Sequence, residues 1–351
     1  MARTRAVAFA FAASAALALL LASTLAVADG TDSDLDTVPD ALELATQRTV
    51  AAVSSGDEIN ISSRLGTGRL EDQFEVSYKA GTFEVWYDQT GGGSSSYELE
   101  LRNLVEWVDT NGNGRIDDGE VVARTTLGDS AFGNVPIVRS NTSNADGGRV
   151  HNFVIRSNTG ELTLNLTIAQ RFMRLLADRV LTPMEVKMDI TISHVFERPG
   201  ASLGVEMRMH TGERVQYGDR SWDDINGFAK GEGSVNVTGG PAGRSATAFF
   251  SWANTALADG RPIPAALTSL QTESNSYDMY LAYPVDSPQP HVNIVHDPTL
   301  GVESAVYRDI VTKAPELQGD LKLYAGSLAG MAVLVALTIV LANRRRKKRE
   351  E

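Results

Sequence analysis

Cysteine is absent from all 351 residues, which excludes disulfide staples, thiolate metal sites and a cysteine nucleophile. A eukaryotic ectodomain of this size ordinarily carries disulfides, so their absence points to a prokaryotic, archaeal-like cell surface. The chain also lacks the short motifs of hydrolytic and nucleotide chemistry. It contains no His-Glu-x-x-His, no Gly-x-Ser-x-Gly and no phosphate-cradling loop. No internal repeat stands out. Positive charge is scarce except at the two ends. Lys and Arg number 32 against 44 Asp and Glu, for a net charge of −12. Setting aside Arg3, Arg5, Lys322, the basic run Arg344 to Arg349, Glu350 and Glu351 leaves a net charge of about −19 on the remainder. Such a body repels polyanions, so nucleic acid is not expected as a partner, while cation binding suits it.

The ends carry the clearest patterns. Residues 1–28 read as a signal peptide: Arg3 and Arg5 form the charged start, Ala6 to Leu21 the apolar run and Ala26-Val27-Ala28 the small-x-small cleavage site. Cleavage there starts the mature chain at Asp29; an uncleaved anchor is the alternative. Leu323 to Ala342 holds 20 residues without a charge, enough for a transmembrane helix. Residues 314–322 then read as a juxtamembrane linker and 343–351 as a basic cytoplasmic tail. Positive residues stay on the cytoplasmic side, which places the large domain outside the cell membrane on a single-pass anchor.

Between the ends the pattern is all-β. Leu162, Leu164, Leu166 and Ile168 alternate with Thr163, Asn165 and Thr167, and Val186, Met188, Ile190, Ile192 and His194 repeat that alternation. Leu203, Val205, Met207 and Met209 do so again. The expectation is an antiparallel β-sandwich ectodomain over 57–313, with two abutting sandwiches as the alternative. Residues 29–56 read as an acidic leader whose Asp40 to Val53 part forms a short helix or linker. Ala169 to Val180 also fits a helical face and is expected to cross between sheets as one short helix.

Within this frame, Asp109-Thr110-Asn111-Gly112-Asn113-Gly114-Arg115-Ile116-Asp117-Asp118-Gly119-Glu120 places oxygen-bearing side chains at positions 1, 3, 5, 9 and 12. It has glycine at position 6 and an apolar residue at 8. This resembles an EF-hand calcium loop. The resemblance implies calcium held by Asp109, Asn111, Asn113, Asp117 and Glu120, with the Arg115 backbone carbonyl at position 7 and Ile116 turned inward. The flanking residues alternate or are β-branched, so the loop is expected between strands, with a structural ion rather than a sensor's. Asp32-Ser33-Asp34-Leu35-Asp36-Thr37-Val38-Pro39-Asp40-Ala41-Leu42-Glu43 resembles a thrombospondin type-3 loop, with Asp32, Asp34, Asp36, Asp40 and Glu43 in ligand places. Thr37 stands where that pattern wants glycine.

Asn60, Asn141, Asn165 and Asn236 head N-glycosylation sequons. Gly128-Asp129-Ser130 is a weak serine-hydrolase likeness. His291 and His296, five apart on a strand, are expected on opposite faces, and His194 is expected as a hydrogen-bonded core residue. Trp222 with Asp223 and Asp224 could meet a sugar or a cation. The pattern as a whole suits a calcium-stabilised surface protein in adhesion, envelope structure or recognition of an extracellular protein or glycan. The alternative is a membrane-anchored hydrolase of glycans or other polymers, for which convergent carboxylates are required.

Overall fold

A computed structural model describes residues 46–68, 70–117, 119–144, 147–175, 180–219, 232–241, 244–285 and 290–309. The expected signal peptide, the Asp32 to Glu43 loop, Trp222 to Asp224 and the expected 323–342 span lie outside the described residues. Among the described residues no helix is long and apolar enough to cross a membrane.

The chain is built almost wholly of antiparallel strands. It begins with β1 (Gln47–Ser55), β2 (Glu58–Gly66), β3 (Glu71–Lys79), β4 (Thr82–Gln89), β5 (Ser94–Trp107) and β6 (Val121–Thr126). After the single-turn helix α1 (Asp129–Phe132) come β7 (Ile137–Ser143), β8 (Arg149–Arg156) and β9 (Leu162–Ala169). A short ribbon of β10 (Met173–Arg174) and β11 (Val180–Leu181) leads to β12 (Glu185–Val195) and β13 (Ser202–His210). Then come β14 (Arg214–Asp219), β15 (Glu232–Gly239), β16 (Ala246–Ala253), β17 (Thr255–Ala258) and β18 (Arg261–Pro264). The last are β19 (Ala266–Glu273), β20 (Ser276–Tyr283), β21 (His291–His296) and β22 (Thr299–Val302).

These form two large sheets. The first runs β1-β2-β3-β4-β5-β13-β20-β19, with β6 also on β5. The second runs β14-β15-β16-β22-β12-β21-β17-β18, with β9, β8 and β7 continuing outward from β12. Strands β15, β16 and β22 pack over β4 and β5. Period-two alternation sends Phe74, Phe83, Val85 and Leu99 inward from one sheet and Val235, Val237, Phe250 and Leu300 from the other, all at most 1% exposed. Each such side chain contributes about 1.5–3 kcal/mol of burial. Hydroxyls stitch the layers: Tyr97 Oη donates to the Phe249 carbonyl at 2.7 Å and Ser95 Oγ to that of Val237 at 2.6 Å.

Two boundaries differ from expectation. The compact unit begins at Thr46 and ends at Arg308, and residues expected in the leader form β1. Val50 and Ala52 stand two apart, the period of a strand, and full-length pairing with β2 holds the segment extended where a short isolated helix would be marginal. Within Ala169 to Val180 the described residues are extended rather than helical, because Met173 and Arg174 pair with Leu181 and Val180.

A candidate calcium loop and two buried carboxylate centres

The strand that carries the loop changes character along its length. Up to Leu101, β5 alternates buried and exposed positions, then the register against β13 shifts beside Met207, and from Leu104 to Trp107 every residue is buried. The outer face is covered there by the connection from β5 to β6. Val105, Trp107, Ile116 and Ala282 form a cluster joined by Val121 and Tyr280. Ile116, at loop position 8, is 2% exposed and turns inward as its place in the pattern demands. Gly204 on β13 makes room for it: a Cβ there would fall 2.5 Å from the Ile116 Cδ1. Trp107 Nε1 donates to the Leu203 carbonyl at 3.0 Å, which fixes the indole under the loop.

The loop is closed at its neck by Val108 N donating to the Glu120 carbonyl at 3.0 Å. Inside it, Asp109 Oδ1 accepts from Gly112 N at 2.8 Å and Asn113 N at 3.1 Å, and its Oδ2 accepts from Gly114 N at 2.8 Å. Asn111 Oδ1 accepts from Asn113 N at 3.0 Å and Asn113 Oδ1 from Arg115 N at 2.8 Å. Both amide groups then donate to Asp117 Oδ2 at 2.7 Å. Glu120 Oε1 accepts from Thr110 N at 2.9 Å and Thr110 Oγ1 at 2.6 Å, while Oε2 accepts from Asp117 N at 3.1 Å. The Thr110 hydroxyl holds the Glu120 carboxyl below its ordinary pKa. Gly114 at position 6 has φ +70°, a left-handed conformation that favours glycine.

The side chains at positions 1, 3, 5, 9 and 12 are thus bound into one hydrogen-bonded ring. Asp109, Asp117 and Glu120 put three carboxylates into it, and among the described residues no Lys or Arg pairs with any of them. No three His, Cys, Asp or Glu side chains group as a metal-holding set among the described residues. The ring offers only oxygens, from three carboxylates and two amides that are hydrogen-bonded within the loop, a donor set that suits calcium better than zinc.

Glu185, Glu206 and Glu232 are also buried, but Glu106 and Asp72 are the buried carboxylates that each gather several protein donors. Glu106, 2% exposed, faces the space between the sheets, where Oε1 lies 2.9 Å from His194 Nε2. It also accepts from the backbone N–H groups of Glu197 at 2.6 Å and Arg198 at 3.0 Å. His194 Nδ1 meets Glu161 Oε1 at 3.1 Å, so His194 is a hydrogen-bonded core residue. Asp72 on β3 is fully buried and accepts from Ser304 Oγ at 2.5 Å, Val306 N at 3.0 Å and Tyr87 Oη at 3.2 Å. Burial raises its pKa above the ordinary value, with the Ser304 hydrogen bond as the largest opposing effect. Neither centre resembles an open carboxylate pair, since each carboxylate is committed to protein donors. Sequence patterns do not reveal Asp72, Glu106 or Glu161 because their partners come from distant strands; the one sign is a Glu inside the apolar run Leu104 to Trp107.

The remaining expected residues disperse. His291 meets Ser193 Oγ at 3.0 Å on the exposed side, whereas His296 is buried between Tyr283 Oη at 3.0 Å and the Ala253 carbonyl at 2.8 Å. Ser130 lies in the first turn of α1 and donates to the Leu127 carbonyl at 2.7 Å, and no imidazole among the described residues bonds to that hydroxyl. Asn60 and Asn141 are exposed, while Asn165 and Asn236 are half-buried. Asn165 Nδ2 donates to Asp189 at 3.4 Å.

The chain matches no protein-family model and no curated protein. Among solved structures it is similar to a "putative aldose 1-epimerase" from Klebsiella pneumoniae subsp. pneumoniae, at 10% identity and a TM-score of 0.29 over 78% of this chain and 96% of that one. A likeness of that extent carries no argument about fold or activity.

Proposed function

We propose that this is a membrane-anchored surface protein whose β-sandwich is stabilised by calcium in the Asp109 to Glu120 loop, and which works in adhesion, envelope structure or partner recognition. The observation that carries the reading is the ring of three carboxylates without a cationic partner among the described residues, set on a loop whose Ile116 is plugged into the sheet. Calcium would be held by Asp109, Asn111, Asn113, Asp117, Glu120 and the Arg115 carbonyl, and would add the positive charge that the ring lacks. The ion acts as a clamp on the β5–β6 connection, because strands on both sides leave no helix pair to swing open. The signal peptide, the 323–342 span and the second loop at Asp32, Asp34, Asp36, Asp40 and Glu43 complete the proposal from sequence. Asn141, exposed on β7 of the second sheet, is the sequon best placed to carry a glycan.

The experiment is thermal unfolding of the full-length protein in detergent against calcium, magnesium and chelator. A calcium-specific rise in Tm that saturates by the millimolar range is expected, since extracellular modules bind at about 10⁻⁴–10⁻³ M. An unchanged Tm up to about 10 mM calcium would reduce the loop to a hydrogen-bonded turn.

A further inference from the structure

The outer face of the first sheet has an unusual centre where β1 to β5 lie side by side. Trp86 stands there 36% exposed, and no ring contact, hydrogen bond or cation engages it among the described residues. It sits directly across from Glu75 on β3 and Ser96 on β5. Asp88 and Glu84 lie two residues either side of it on the same strand face. Glu84 in turn is directly opposite Glu98.

Two features of this group point to something it binds. First, Glu75, Glu84, Asp88 and Glu98 have no Lys or Arg partner among the described residues, while charges elsewhere on the same sheet are paired, as in Lys79 with Glu58 and Arg208 with Asp278. Second, like charges directly across a strand pair are destabilising, so the Glu84 and Glu98 juxtaposition works against the free protein and is relieved by an incoming cation. Beside the group, Ala51, Val53, Asn60, Ser62, Glu75 and Ser77 line a shallow depression of about 200 Å³, where Val53 is 53% exposed.

We propose that this face binds a basic segment of a partner protein, with a Lys or Arg side chain over the Trp86 indole and an apolar side chain in the depression. Tryptophan is the best aromatic partner for a cation, and the surrounding carboxylates receive its N–H donors. A neutral glycan could stack on the same ring but would leave the four negative charges uncompensated. The register Trp86, Glu75, Ser62, Ala51 spans three strand spacings, about 14 Å. An extended segment covers that distance in about four residues, which sets the separation of its basic and apolar side chains. The inference narrows the partner-recognition part of the proposed function and does not depend on calcium.

The test uses full-length protein in detergent, made in a host without N-glycosylation so that Asn60 stays bare, with fluorescein-labelled hexalysine as the probe. Wild type is expected to bind in a salt-sensitive manner, and Trp86→Ala to weaken binding about tenfold at unchanged Tm. The pair Glu84→Gln with Glu98→Gln should weaken binding while raising Tm. Equal hexalysine binding by wild type and Trp86→Ala would overturn the proposal, leaving general acidity as the cause. So would binding of cellohexaose that requires Trp86 where hexalysine does not bind. Each titration is run in calcium and in chelator. Trp86-dependent binding without a calcium-induced Tm shift would sustain this face and remove the calcium loop, and the converse would remove this face alone.

Discussion

Two carboxylate assemblies in this molecule use the same donors in opposite settings. In the Asp109 to Glu120 loop, carboxylates collect backbone N–H groups three to five residues away, as from Asp109 to Gly112, Asn113 and Gly114. At Asp72 the carboxylate collects Ser304 and Val306, which lie 232 and 234 residues along the chain. The first is half open to water and uses local geometry to gather negative charge. The second is sealed, and it ties the residues after β22 back to β3. Loss of the second carboxylate is the costlier, because its donors have no water to turn to. The difference separates a locally built carboxylate cluster from a long-range structural latch.

The largest expected effect breaks the latch. Asp72→Ala strands Ser304 Oγ and the Val306 N–H in a dry interior and should cost about 3–4 kcal/mol in denaturant unfolding, with or without calcium. Glu120→Ala should behave differently, losing about 2.7 kcal/mol more when wild type is held at about 100 times its Kd for calcium than it loses in chelator, where only the loop's own hydrogen bonds are removed. A loss of equal size in both conditions would make the loop a latch of the same kind as Asp72. Gly204→Ala places a methyl against Ile116 and should destabilise by about 2 kcal/mol through overpacking. Adding Ile116→Val, which trims the Cδ1, should recover part of it, as read by Tm.

The smallest effect concerns pH. Asp72 has a raised folded pKa, so its contribution favours the folded state below the ordinary value of 3.8 and is lost as pH rises through the folded value. Wild type should therefore gain in Tm relative to Asp72→Asn as pH is lowered from neutrality toward that ordinary value. Glu120 runs the other way: with a lowered folded pKa, its contribution is present above 4.5 and is lost as pH falls through the folded value. Tm curves of wild type, Asp72→Asn and Glu120→Gln in chelator would show the two slopes with opposite sign.

The same contrast decides how far each assembly can be read in the sequence. The loop is legible because its donors, its turn-forming Gly114 and its Ile116 anchor all fall within twelve consecutive residues. The alternation of β9, β12 and β13 is legible for the same reason, since the period of two is local. Strand β1 is not, because Thr49 to Val53 is small and weakly patterned, and only pairing with β2 decides it. Glu106 and His194 lie 88 residues apart, and nothing in either neighbourhood announces the other. The segment around β10 and β11 imitates a helix because Phe172, Leu175, Leu176 and Val180 fit a helical spacing in the sequence, whereas Phe172 in fact stacks on Tyr307 at 5.4 Å.

The position of β22 has a consequence for timing. It is the last strand among the described residues, yet it lies inside the second sheet, paired to β16 on one side and to β12 on the other. Until Val302 has emerged from whatever makes or exports the chain, β16 and β12 each expose a row of unpaired backbone groups. The second sheet therefore closes only once β22 is in place between β16 and β12.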